Sequence, residues 1–193
     1  MLKKIQQDSH DKFEELGYPS KKLESWKFSP SKHLKKYNLI NLDQSNFSIE
    51  QYNDKYTLCF INGELAKESL NNFIYKDGIT VSDIDELDDS SICSTSSNFE
   101  QEAFFHLGIS SIKSGKYFEF HKGVKFENPI NILNIYNKSE KDLRISSFNI
   151  FKLNEGNNIS IIEKDVNKGS GSFNLNLNKF ICPDNTIFNH SML

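Results

Sequence analysis

The sequence predicts a mainly β protein with an α-helical N-terminal region. Helical spacing of apolar residues is confined to two stretches in the first 109 positions. From Gly115 onward, short stretches alternate apolar and polar residues with a period of two. Clusters of Gly, Pro and Asn break that alternation at regular intervals. These observations divide the chain into a helical and mixed cap, residues 1–109, and a strand-built core, residues 110–193. A sandwich, a barrel and a β-helix all satisfy the core pattern.

Leu2, Ile5, Ser9, Phe13 and Leu16 follow helical spacing, which predicts a helix over 3–16. Gly17 stops it and Pro19 prevents its restart. Residues 20–37 are rich in Lys and Ser and read as loop or short helical turns. Tyr56 to Ile61 is a strand closed by the turn dipeptide Asn62-Gly63. Phe73 to Tyr75 and Ile79 to Val81 read as short strands around Asp77-Gly78. The acidic run Asp83 to Asp89 and the Ser-rich run Ser90 to Ser97 read as an exposed, solvated connection. Ser97, Asn98 and Glu100-Gln101 offer caps for a helix carrying Phe99, Ala103, Phe104 and Leu107, with Gly108 as its stop.

The predicted core strands are Tyr117 to Phe120, Val124 to Phe126, Ile130 to Tyr136, Ile145 to Leu153, Ile159 to Ile162, Phe173 to Ile181 and Ile187-Phe188. The breaks fall at His121 to Gly123, Glu127 to Pro129, Asn137 to Ser139, Asn154 to Asn157, Lys168 to Gly171 and Pro183 to Asn185. Strand positions opposite the apolar set are mostly Asn, Ser or Lys, which predicts one buried face and one wet face. Short strands with Asn and Gly at their corners suit a β-helix, in which each coil buries its inner side chains on the next.

Hydrophobic residues are only 37% of the 193, but sixteen Phe and seven Tyr supply the bulk of a core. Arg144 is the sole arginine, and the excess of Asn, Lys, Ser and Ile fits an AT-rich genome. A net charge of −3 gives no general attraction to nucleic acid or acidic lipid. Cys59, Cys93 and Cys182 are odd in number and far apart, which argues against a secreted disulfide framework. The basic N-terminus has no apolar run behind it, and no stretch is long enough to cross a bilayer. The expected setting is a reducing cytoplasm.

Four motifs, in order along the chain, resemble the SufB/SufD family of iron–sulfur cluster assembly proteins, on the SufD side. Leu16-Gly17-Tyr18-Pro19 followed by Glu24-Ser25-Trp26-Lys27-Phe28 is similar to that family's N-terminal signature. Phe60-Ile61-Asn62-Gly63 is similar to its Phe-Val-Asn-Gly strand and turn. Tyr117 to Ile130 resembles its Lys-Gly-Val and Glu-x-Pro-Ile element, and Leu153 to Asn157 the unit that follows. The resemblance implies a right-handed parallel β-helix whose opening coils are residues 110–193. It implies a scaffold of the SUF system that works with SufB and SufC. It implies no independent chemistry for this chain, with the cluster handled by the complex. The family's usual member continues through further coils, which pair SufD with SufB, into a helical domain that docks SufC. Neither region is present, so a fragment, a truncated reading frame and a split subunit are all compatible with the sequence. The residues proposed for cluster assembly in the family lie beyond the matched region, and none carries over to this chain. A strand at the end of the sequence predicts an open β-helix end and self-association through it.

No catalytic, cofactor-binding or metal-ligating residue is assigned. Cys59 lies in an apolar strand and reads as a small hydrophobe, while Cys93 sits in the Ser-rich loop. Cys182 and His190 flank a Pro-Asp-Asn turn and are a candidate facing pair, but no CxxC accompanies them. The chain has no Gly-Lys-Ser/Thr phosphate loop, and the Gly-rich run Lys168 to Ser172 reads as a flexible turn. His33, His106 and His121 are isolated. Trp26 is expected to pin the N-terminal segment to the core, with partner docking as its second reading. Glu119, Glu127, Glu155 and Glu163 read as solvated. An acid pair among them would suit the alternative reading, a small carbohydrate-binding or glycan-active β-helix or sandwich.

Overall fold

The fold is described from a computed structural model. The structure describes residues 2–22, 24–28, 31–39, 48–52, 54–87, 102–136, 143–168 and 172–193. It is a mixed α/β arrangement of two mostly parallel sheets with a few helices. Helix α1 spans Leu2–Leu16 and ends where the Gly17 N–H bonds the Phe13 carbonyl. Two 3-10 turns follow, at Glu24–Trp26 and Lys32–Lys36. Helix α2 covers Lys67–Asn72 and α3 covers Ala103–Ser110.

The strands are β1 (Asn38–Leu39), β2 (Thr57–Ile61), β3 (Glu64–Leu65), β4 (Ile79–Asp83), β5 (Lys116–Phe120), β6 (Ile130–Tyr136), β7 (Leu143–Lys152), β8 (Asn158–Asn167), β9 (Ser172–Ile181) and β10 (Ile187–Met192). Strand β7 organises the first sheet. It pairs in parallel with β1 at Leu143 and Arg144, with β5 at Ile150 to Lys152, and with β9 along its whole length. Strand β4 adds antiparallel to β5. The second sheet runs β10-β8-β6-β2-β3, parallel except for the β2–β3 hairpin. From β5 onward, consecutive strands fall in alternate sheets. Ser147 lies beside Asn176 and Ser160 beside Asn189, each pair 29 residues apart.

Alternation of side chains places one set of every strand between the sheets. There Phe60, Phe118, Phe120, Ile130, Ile132, Phe151, Ile159 and Ile161 form one core, each at most 2% exposed. Phe118, Phe151 and Phe180 stack one above the next, with centroids 4.8 and 5.2 Å apart. Outside the first sheet, Phe148 and Ile150 pack on Ile109 and Ile112, with Leu2 and Ile5 of α1 against them. Outside the second, Cys59, Ile61, Leu133 and Ile135 are covered by Ile49 and Ala66.

Trp26 is half-buried, and its ring meets Phe104 edge-on at 4.9 Å. Phe104 in turn contacts Tyr18 and Phe173, so the indole joins the N-terminal segment to α3 and β9. Partial burial limits the expected cost of Trp26→Ala to about 2 kcal/mol, below the full loss of a core aromatic. A urea melt checks this; an unchanged midpoint would mean that the ring contributes nothing to the fold.

Several expected elements differ. Phe73 to Tyr75 is not a strand; α2 precedes it and a 3-10 turn at Lys76–Gly78 follows. Helix α2 is pinned by Ser69, whose hydroxyl donates to the Thr57 carbonyl and accepts from the Cys59 N–H. Gly108 does not stop α3, which continues to Ser110. Its role is close packing, since a Cβ there would sit 2.8 Å from Leu177 Cδ1. Val124 to Phe126 contributes only a single bridge, from Lys125 to Asn158. The run 159–162 belongs to the ten-residue β8, and 187–188 to the six-residue β10. The proposed caps Ser97, Asn98, Glu100 and Gln101, with Phe99, lie outside the described residues, as do the breaks at 137–139 and 169–171.

Candidate functional site

Along four strands the inward-facing positions change from apolar to polar at one level. In β6, Ile130 and Ile132 give way to Asn134 and Tyr136; in β8, Ile159 and Ile161 give way to Glu163 and Asp165. Strands β7 and β9 do the same in reverse order: Ser147 and Asn149 precede Phe151, and Asn176 and Asn178 precede Phe180. One end of the space between the sheets is therefore lined by amides, hydroxyls and carboxylates. Burying such groups is costly unless each finds a partner.

They find one another. Ser147 Oγ donates to Asn176 Oδ1 at 2.9 Å, and Asn149 Nδ2 donates to Asn178 Oδ1 at 3.2 Å. The Lys116 N–H donates to Asn149 Oδ1 at 3.0 Å, extending the ladder to β5. Asn176 Nδ2 donates to the Tyr136 hydroxyl. Glu163 is the centre, with its residue only 2% exposed. Its Oε1 accepts from Asn134 Nδ2 at 2.8 Å and Asn178 Nδ2 at 3.0 Å, and its Oε2 faces His190 Nε2 at 3.1 Å. Asn134 also donates to Asp165 Oδ1 at 3.0 Å, at the exposed mouth of the seam. Burial first, and then the Asp165 charge, hold the Tyr136 phenol above its ordinary pKa, so it stays neutral.

His190 comes from β10 and lies against Phe180, with ring centroids 4.8 Å apart. A buried carboxylate facing Nε2 fixes the orientation of the imidazole. It also ties β10 to β8 through side chains as well as backbone. The arrangement suits a structural hydrogen bond within an amide ladder.

Cys182 is exposed just beyond β9, and partial shielding raises its thiol pKa. Of the candidate pair Cys182 and His190, His190 instead meets Glu163. Cys59 is fully buried, its thiol pKa raised by that burial, with Sγ 3.7 Å from the Tyr52 carbonyl. Cys93 lies outside the described residues. His33 is exposed, and His121 Nε2 lies 3.0 Å from Thr80 Oγ1. His106 is buried on α3.

Glu163 was expected to be solvated and is instead buried, because Asn134, Asn178 and His190 replace its water. The Asn and Ser positions assigned to a wet face are corrected likewise: Asn134, Ser146, Ser147 and Asn149 are all buried. Glu119 pairs with Lys152 at 2.9 Å, which together with Asn154 holds its carboxyl below the usual range. Glu155 pairs with Lys122 at 2.6 Å, and Glu127 is exposed. Three of the four acids are thus committed to different partners, Lys152, Lys122 and His190, rather than to each other. Among the described residues, no group of three or more His, Cys, Asp and Glu is placed to hold a metal ion. No helix among them is long and apolar enough to cross a membrane.

The signal for the seam is the run Asn174-Leu-Asn-Leu-Asn178, where strict alternation puts amides on one face and leucines on the other. Both faces are covered, the leucines by α3 and its neighbours and the amides by the second sheet. No family model matches the chain, and no match is found among curated proteins.

Proposed function

We propose that this chain is a SufD-like scaffold component of an iron–sulfur cluster assembly complex, built on a right-handed parallel β-helix. The observation that carries the reading is the alternation of β5 to β10 between two sheets, each strand from β7 onward pairing in parallel with the strand two before it. That arrangement, a step of 29 to 33 residues between paired positions and the stacked Phe and Asn ladders are what a coil of this kind requires. Right-handed crossovers are the rule for parallel strands joined in this way. The four motifs of the resemblance supply the family. In this reading the chain is cytoplasmic and non-catalytic, its partners are SufB and SufC, and the cluster is the cargo of the complex. Among the described residues, β9 pairs only with β7 and β10 only with β8. Those edges take up further strands, including those of a second copy.

Anaerobic reconstitution with iron and sulfide tests the division of labour. The isolated chain is expected to hold no stoichiometric cluster and to hydrolyse no ATP, while a mixture with SufB and SufC assembles one. A cluster spectrum from the chain alone that disappears in Cys182→Ser would contradict this.

A further inference from the structure

Phe28 is 88% exposed, more than any other large apolar side chain among the described residues. Single apolar residues at a surface are ordinary. Phe28 differs in standing on a segment whose ends and flank are fixed. The hydroxyl of Ser31, a residue 2% exposed, donates to the Pro19 carbonyl and ties the two ends of the segment 19–31 together. Trp26 meets Phe104 edge-on and fixes the segment to α3. Phe28, two residues on, is thereby presented to solvent rather than folded under.

The same segment carries Lys21, Lys22 and Lys27 against a single acid, Glu24, all four exposed. Among the described residues, no carboxylate pairs with these three lysines. The Lys27 ammonium lies 5.6 Å from the centre of the Phe28 ring, and that of Lys35 lies 5.4 Å from the centre of the Tyr18 ring, at the foot of the segment. The basic surface is short. Glu14 and Glu15, both exposed, sit in the last turn of α1 directly before it. A long polyanion or an anionic bilayer would meet those carboxylates as well as the lysines. One projecting ring also falls short of the row of aromatic platforms on which single-stranded nucleic acid stacks. A ring already fixed in place costs little to order on binding, and aromatic anchors carry much of the energy of protein interfaces whose charges are complementary.

We propose that Phe28 and its flanking lysines dock a short acidic segment of a partner protein, which packs apolar side chains on the Phe28 ring and sets carboxylates against Lys21, Lys22 and Lys27. The test uses the full chain and a labelled peptide of alternating Leu and Glu, with a Leu–Lys peptide as control, followed by fluorescence anisotropy. An oligothymidine strand and vesicles of phosphatidylcholine and phosphatidylserine serve as rival probes. The Leu–Glu peptide is expected to bind, more weakly as salt rises. Its affinity is expected to fall about tenfold in Phe28→Ala. In Lys21→Gln/Lys22→Gln/Lys27→Gln it is expected to fall and to lose most of its dependence on salt. Emission from Trp26, the only tryptophan, is expected to change when the peptide is added. All four substituted residues are exposed, so both variants melt like wild type; if Phe28→Ala does not, the lysine variant decides. No binding, equal binding of the Leu–Lys peptide, affinity unchanged in the variants, or tighter binding of the oligothymidine or the vesicles would each overturn the proposal.

Discussion

Replacing Gly115 with alanine is expected to destabilise the protein by about 3 kcal/mol or more. A Cβ at this position would overlap the carbonyl oxygen of Phe148 and come within 3.1 Å of Ile84 Cγ2. The overlap is with backbone, which cannot rotate away as a side-chain tip would. Relief requires β7 and the segment entering β5 to separate. That movement strains the bond from the Phe148 N–H to the Ser114 carbonyl and the bond from Ile84 to Gly115. Phe148 is 2% exposed and anchors the layer beneath α1 and α3, so the disturbance spreads into a core. Overpacking typically costs about 1–3 kcal/mol, and an overlap with backbone lies at the top of that range or beyond it. The matched control is Gly123→Ala, where nothing lies within 4 Å and only the φ of +75° opposes the change, at about 1 kcal/mol. Circular dichroism melts of the two variants decide the matter. A Gly115→Ala protein that melts with the control would mean that β5 and β7 are not this close.

Phe151→Ala is expected to cost about 3–5 kcal/mol, the range for emptying a buried aromatic site. Phe151 is 1% exposed and sits between Phe118 and Phe180, its ring within 3° of parallel to one and 22° to the other. Removing it opens a void in the middle of the stack, with neighbours held on three hydrogen-bonded strands that cannot close in. Such a loss is a large part of the ~5–15 kcal/mol that stabilises a typical domain. Phe188→Ala, at the half-buried end of the same cluster, is expected to cost less. Urea unfolding measures both. Equal, small losses would show that the aromatic stack does not carry the core.

The helical start, the strand-rich remainder and most turns were legible because each rests on local chemistry. Asn62-Gly63 adopts the positive φ values that its residue types favour, and Ile130–Tyr136 has the predicted limits. Helix α2 was hidden because its anchor is non-local: Ser69 bonds to β2, ten and twelve residues back. Gly108 was misread as a stop because its reason is Leu177, on a strand far along the chain. The polar seam was the largest omission. Asn134, Asn149 and Glu163 are of types that ordinarily face water, and only the stacking of one strand on the next gives each an internal partner. Single residues in the sequence carry no sign of that pairing. The paired alternation of Asn and Leu in β9 does, once both faces of the strand are known to be covered.

Light scattering on the chain alone, and on the chain co-purified with tagged SufB and SufC, tests the scaffold reading most directly. The account predicts that the chain elutes with SufB and SufC as one particle, joined through the edges of β9 and β10, the strands left to it where the family pairs through later coils. It also predicts that the chain alone forms larger species as its concentration rises, through the edges of β9 and β10. A chain that stays monomeric at every concentration and elutes apart from SufB and SufC would contradict it.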